Sequence, residues 1–106
     1  MKKNIRRIFA LLLITLSGYG YADSSYTLKG SQYLNEASLK LEQARAVAQK
    51  AYPGVIVEEA LEHKLGGSGL RYSFDIRAHH MTHEVAVDAK TGQVLENVRE
   101  PENDND

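Results

Sequence analysis

The chain has 106 residues, with 13 Lys and Arg set against 14 Asp and Glu. That length supplies a single domain. It contains no cysteine, so a disulfide framework and a lipid anchor on an N-terminal cysteine are both excluded.

Lys2, Lys3, Arg6 and Arg7 precede an apolar run, Ile8 to Leu16, that only Thr15 interrupts. Gly20-Tyr21-Ala22 then puts small residues at the two positions a signal peptidase reads. This order predicts a signal peptide over residues 1–22. The apolar run is about half the ~20 residues a membrane-spanning helix needs. Removal of residues 1–22 leaves 84 residues, with nine basic against 14 acidic and a net charge of −5 with His neutral. Such a balance disfavours nucleic acid, whose affinity comes largely from phosphate neutralisation. It also disfavours anionic membranes, and no stable membrane insertion is expected once the signal is gone. The expected location is the periplasm or the exterior.

Residues 23–38 are polar and read as a flexible N-terminal arm, with a short ordered piece around Tyr33 and Leu34. Leu41, Ala44, Val47, Ala48 and Ala51 recur at helical spacing and predict a helix over 41–51. Glu42, Gln43, Arg45, Gln49 and Lys50 are expected to face away from the core. Pro53 ends the helix by forcing Tyr52 toward extended geometry. From Val55 the period becomes two. A first strand is expected over 55–65, with Val55, Val57 and Leu61 on one face. Glu59 and His63 share that parity, which predicts a bulge or a fraying end. Gly66-Gly67-Ser68-Gly69 is a hairpin connection. Leu70, Tyr72, Phe74 and Ile76 alternate with Arg71, Ser73, Asp75 and Arg77, giving a second strand with one dry and one wet face. A turn over 78–82, a third strand over 83–88, a turn over 89–92 and a fourth strand over 93–98 follow. Glu100 to Asp106 is a solvated acidic tail expected to be disordered. The fold class is α+β, one helix packed on an antiparallel four-stranded meander.

In this order, Leu41-Glu42-Gln43-Ala44-Arg45-Ala46-Val47-Ala48, Tyr52-Pro53-Gly54 and Tyr72-Ser73-Phe74-Asp75-Ile76-Arg77 resemble a PepSY domain. His83-Glu84-Val85-Ala86-Val87-Asp88-Ala89-Lys90-Thr91-Gly92-Gln93-Val94-Leu95 is the most specific block. The resemblance places the domain at residues 39–99 and implies a helix packed on an antiparallel sheet. It also implies company, since PepSY domains occur in propeptides of secreted metallopeptidases and in cell-envelope proteins, where modulation of peptidases is the usual proposal. The family has no agreed catalytic residues to carry over. One departure is Lys40, where the family usually has Ser or Thr just before the helix. Lysine cannot cap the free amides there.

Few residues suggest chemistry of their own. His79-His80-Met81-Thr82-His83 has imidazole and thioether donors suited to copper, but its place on a hairpin reads more simply as a solvated loop. His83-Glu84 starts like a zinc-peptidase motif, yet Val87 stands where the second histidine belongs and the segment alternates like a strand. Ser68 lacks the strand-to-helix context of a nucleophile elbow. The glycines around it lack the helix N-terminus of a phosphate loop. Glu58 and Glu62 share the wet face, Glu59 does not, and the three read as solubility on an edge strand. Asp88 reads as the acceptor that fixes the turn after it. Tyr72 and Phe74 read as core.

The expectation is therefore an exported, non-catalytic binding or regulatory module that modulates or inhibits extracytoplasmic peptidases in trans. Its partner is expected to be another exported or envelope protein. No catalytic residue, cofactor or metal ligand is assigned. The expected contact surfaces are the wet face, carrying Arg71, Asp75, Arg77 and Glu84, and any unpaired strand edge. The alternative is a periplasmic metal or small-ligand binder using the His79–His83 hairpin.

Overall fold

A computed structural model of the chain describes residues 27–101. The signal peptide read over 1–22, residues 23–26 of the arm and residues 102–106 of the tail lie outside the described residues.

Helix α1 spans Leu41–Ala51, the limits that the Leu41–Ala51 periodicity and Pro53 predict. Lys40 occupies the N-cap position without a side-chain cap. Its amide instead donates to Gln43 Oε1 at 2.8 Å, so half of a capping box holds the first turn. Ala44 and Ala48 are fully buried, and their small side chains let the helix lie close to the sheet. Two residues expected to face outward turn inward. Gln49 is buried and donates to the Gly54 carbonyl at 3.0 Å, closing the turn beyond the helix. Arg45 reaches over the sheet to Glu59.

The sheet is a meander of β1 (Val55–His63), β2 (Leu70–Ala78), β3 (Met81–Asp88) and β4 (Val94–Arg99), in the order β1-β2-β3-β4 and antiparallel throughout. Its inner face supplies Ile56, Leu61, Leu70, Tyr72, Phe74, Ile76, Val85 and Val87, which pack with Ala44 and Ala48 into one core. Tyr72 keeps its hydroxyl satisfied by donating to the Leu39 carbonyl at 2.7 Å.

The facing expected for β1 is corrected. Val55 and Val57 are 47% and 45% exposed, while Ile56 is buried. The expected bulge is the reason: the register shifts between Ile56 and Glu58, so a single inward row runs Ile56, Glu59, Leu61 across it. The carboxylate this brings into the core is neutralised by a two-pronged pair. Arg45 Nε and Nη2 donate to Glu59 at 2.9 and 2.7 Å.

The segment ahead of the helix is tied down within the described range, unlike a loose arm. Lys29 bridges to Ala60 in parallel, and residues Ser31–Glu36 form a 3-10 helix around Tyr33 and Leu34. Gly30 permits the approach: its φ is +81°, and a Cβ there would sit 1.9 Å from the Leu61 carbonyl oxygen.

Candidate interaction face

With the helix on one side of the sheet, the other side stays open. Cross-strand register arranges it in rows. Glu58, Asp75, Glu84 and Val98 lie opposite one another in one row, and Ala60, Ser73, Ala86 and Glu96 in the next. The second row has small side chains at its centre. A shallow concavity of about 280 Å³ results, lined chiefly by Glu58, Glu62, Ser73, Asp75, Glu84 and Glu100, with Lys29 at its side.

Like charges directly opposite one another cost stability in a sheet. This row nonetheless places three carboxylates in register. Part of the conflict is relieved locally. Lys29 pairs with Glu58, holding that carboxyl below its usual range, while the Lys29 ammonium is held above its own. Ser73 Oγ donates to Glu62 at 3.1 Å and lies 3.5 Å from Glu84. At Asp75 the balance goes the other way. Loss of hydration, then hydrogen bonding to Glu100 and the charges of Glu100 and Glu58, push its pKa up to about 7. The carboxyl oxygens of Asp75, Glu84 and Glu100 come within 4.8 Å of one another. Oxygen donors of this kind suit a hard divalent cation, but exposed acidic groups are common without one, and the cluster stands as a charge feature.

The far end of the same face is closed. The β1–β2 hairpin folds over Arg71 and Asp88, and a Cβ at Gly67 would meet Asp88 Oδ2 at 2.3 Å. Arg71, expected among the exposed charges, is consequently buried; it donates to the Leu65 carbonyl at 3.0 Å and lies 3.6 Å from Glu96. Asp88 fixes its own turn, as the sequence implied, by accepting from the Lys90 and Thr91 amides at 2.8 and 3.1 Å. It also accepts from the Ser68 amide and hydroxyl at 2.6 and 2.8 Å. Those hydrogen bonds outweigh its loss of hydration and bring its pKa down to about 2. Ser68 is thereby a hairpin anchor. Of the charges expected on the wet face, Asp75 and Glu84 meet in the concavity, while Arg77 stands exposed beside Thr82.

The histidine hairpin does not converge. His79 and His80 form a two-residue turn with φ of 55° and 65°, and both are exposed. His83 is turned to the helix side. Its ring stacks on Tyr52 at 3.8 Å, and its Nδ1 pairs with Asn97 Oδ1 at 2.8 Å. Among the described residues, the only group of three or more such side chains close enough to share an ion is the carboxylate trio. Nothing in the sequence separates Glu100 from the acidic tail that follows it, so the trio is not legible there. The Glu100 amide in fact continues the ladder, donating to the Thr82 carbonyl at 2.8 Å.

A helix covering one face of a four-stranded antiparallel sheet, with an acidic open face opposite, defines a small α+β module. Residues 38–97 match the family model described as peptidase propeptide and YPEB domain, PepSY, and the chain belongs to that family. No curated protein and no solved structure matched the chain. Among the described residues, no helix is long and apolar enough to cross a membrane.

Proposed function

We propose that this protein is an exported, extracytoplasmic binding module that regulates peptidases in trans, without chemistry of its own. Membership of a family named for peptidase propeptides carries the reading. Modules of this family are typically non-catalytic. Two further observations support binding. The open sheet face retains carboxylates in a like-charged row that folding alone disfavours. Two of the residues that suggested chemistry have structural partners instead: Ser68 with Asp88, and His83 with Tyr52 and Asn97. The signal read over 1–22 supports export.

The test is to add the purified protein, freed of residues 1–22, to extracytoplasmic peptidases of its source cell. Inhibition or another change of rate at near-stoichiometric amounts is expected. Unchanged proteolysis in a deletion strain, with no protein recovered on the immobilised chain, would overturn the reading.

A further inference from the structure

The two edges of the sheet differ. The β1 edge is obstructed by its own chain: the Lys29 amide donates to the Glu59 carbonyl, the Leu61 amide donates to the Lys29 carbonyl, and the Val57 bulge breaks the ladder further along. Among the described residues, no segment pairs with the outer edge of β4. Since the Glu100 amide bonds the Thr82 carbonyl, antiparallel alternation directs the backbone of Val98 and Glu96 toward β3. The N–H and C=O groups of Asn97 and Arg99 therefore point outward. β4 has its own register shift at Leu95, but the stretch from Glu96 to Arg99 pairs regularly with β3, and the strand has no proline and no lysine, which are common means of blunting an edge.

We infer that the β4 edge takes an extended, cationic segment of a partner protein as an additional antiparallel strand. This rests on the reading of the chain as a protein-binding module and specifies where and what it binds. Main-chain hydrogen bonds would supply the pairing. Side-chain charge selects the occupant. Alternate residues of an added strand lie on the open face next to Glu96 and Val98, with Glu84 one strand further and Glu100 beyond the end. Arg71 lies 3.6 Å from Glu96 and balances part of its charge from a buried position, while the exposed Arg77 stands beside Thr82. Lys or Arg at alternate positions of the incoming strand therefore finds carboxylates, Glu84 and Glu100, that no ion pair among the described residues engages. A second copy fits poorly, because a continuous sheet across two β4 strands would bring Glu84, Glu96 and Glu100 of both chains onto one face.

The experiment uses the purified chain and three synthetic nine-residue peptides: Thr-Lys-Val-Lys-Val-Lys-Val-Lys-Thr, the same with Glu for Lys, and the cationic one with alternate amides N-methylated. Binding and amide exchange are followed by NMR. The cationic peptide is expected to bind, to slow exchange at Asn97 and Arg99, and to weaken about tenfold between 20 and 200 mM salt. The acidic and N-methylated peptides should bind at least tenfold more weakly. Two variants with intact inner ladders, Glu96→Lys and Arg99→Pro, should each weaken binding about fivefold or more. Protection at β1 in place of β4, equal binding of the N-methylated peptide, or β4 protection that grows with protein concentration alone would each overturn the inference. Peptidase regulation that persists in both variants would overturn the edge assignment while leaving the proposed function standing.

Discussion

Asp88 holds two turns that are far apart in sequence. Its four hydrogen bonds tie the Ser68 hairpin to the Lys90-Thr91 turn from a fully buried position. Replacement by Ala leaves several of those donors unpaired, each costing about 1–3 kcal/mol where water cannot reach. Asp88→Ala is therefore expected to lower stability by roughly 2–4 kcal/mol and to speed amide exchange at Ser68, Lys90 and Thr91 together. Faster exchange at Lys90 and Thr91 alone would show that the cross-connection is weak. Phe74 plays the simpler part of core filler. It is fully buried next to Tyr72, with ring centroids 6.2 Å apart. Phe74→Ala should cost roughly 3–5 kcal/mol in a denaturant titration, the usual result of emptying a buried aromatic site.

At the scale of elements, periodicity carried most of the information. Helix α1 and strand β2 were legible because their apolar residues repeat cleanly at periods of 3.6 and 2. The facing of β1 was not legible. A bulge inserts one residue and inverts the parity beyond it, so Val55 and Val57 sit outside while Glu59 sits inside. Reading that inversion needs the partner, since only Arg45 makes a carboxylate tolerable in the core. The acidic face was half legible: alternation placed Glu58, Asp75 and Glu84 on the wet side, but only register aligns them in a row. The β2–β3 connection was predicted too long. Residues without glycine at left-handed φ gave no sign of a two-residue turn, although His79 and His80 adopt one. That turn stores backbone strain. Asn-Gly is the favoured pair for such a turn, so the double substitution His79→Asn, His80→Gly should raise stability by about 1–2 kcal/mol. The same protein tests the hairpin for metal. Copper and zinc titrations should give no stoichiometric submicromolar binding that the substitutions remove.

For the whole molecule, two aspartates on one face impose opposite demands on pH. Asp75 titrates near 7 when folded, against an ordinary 3.8, so the folded state prefers it protonated. Its contribution is complete below about pH 4 and is lost as pH rises toward 7. Asp88 titrates near 2, so its contribution is complete above about pH 4 and is lost as pH falls toward 2. Together they predict a melting temperature that peaks at about pH 4–5 and declines on both sides. Asp75→Asn cannot ionise and should flatten the decline between pH 5 and 8, whereas Asp88→Asn should flatten the one below pH 4. A melting temperature that climbs steadily from pH 4 to 7 would contradict the assignment of Asp75. The same linkage reaches binding. Asp75 resists ionisation because water is partly excluded from it and because Glu100 and Glu58 crowd it. A cation brought to this face by a partner relieves that crowding and stabilises the carboxylate. Binding of the cationic peptide should therefore release protons near pH 7. Calorimetry in two buffers of different ionisation enthalpy reads this directly as a buffer-dependent heat. Asp75→Asn should abolish the difference while keeping most of the affinity, since Glu84, Glu96 and Glu100 remain. Identical heats in both buffers for the unsubstituted protein would show that the partner's charge does not reach Asp75.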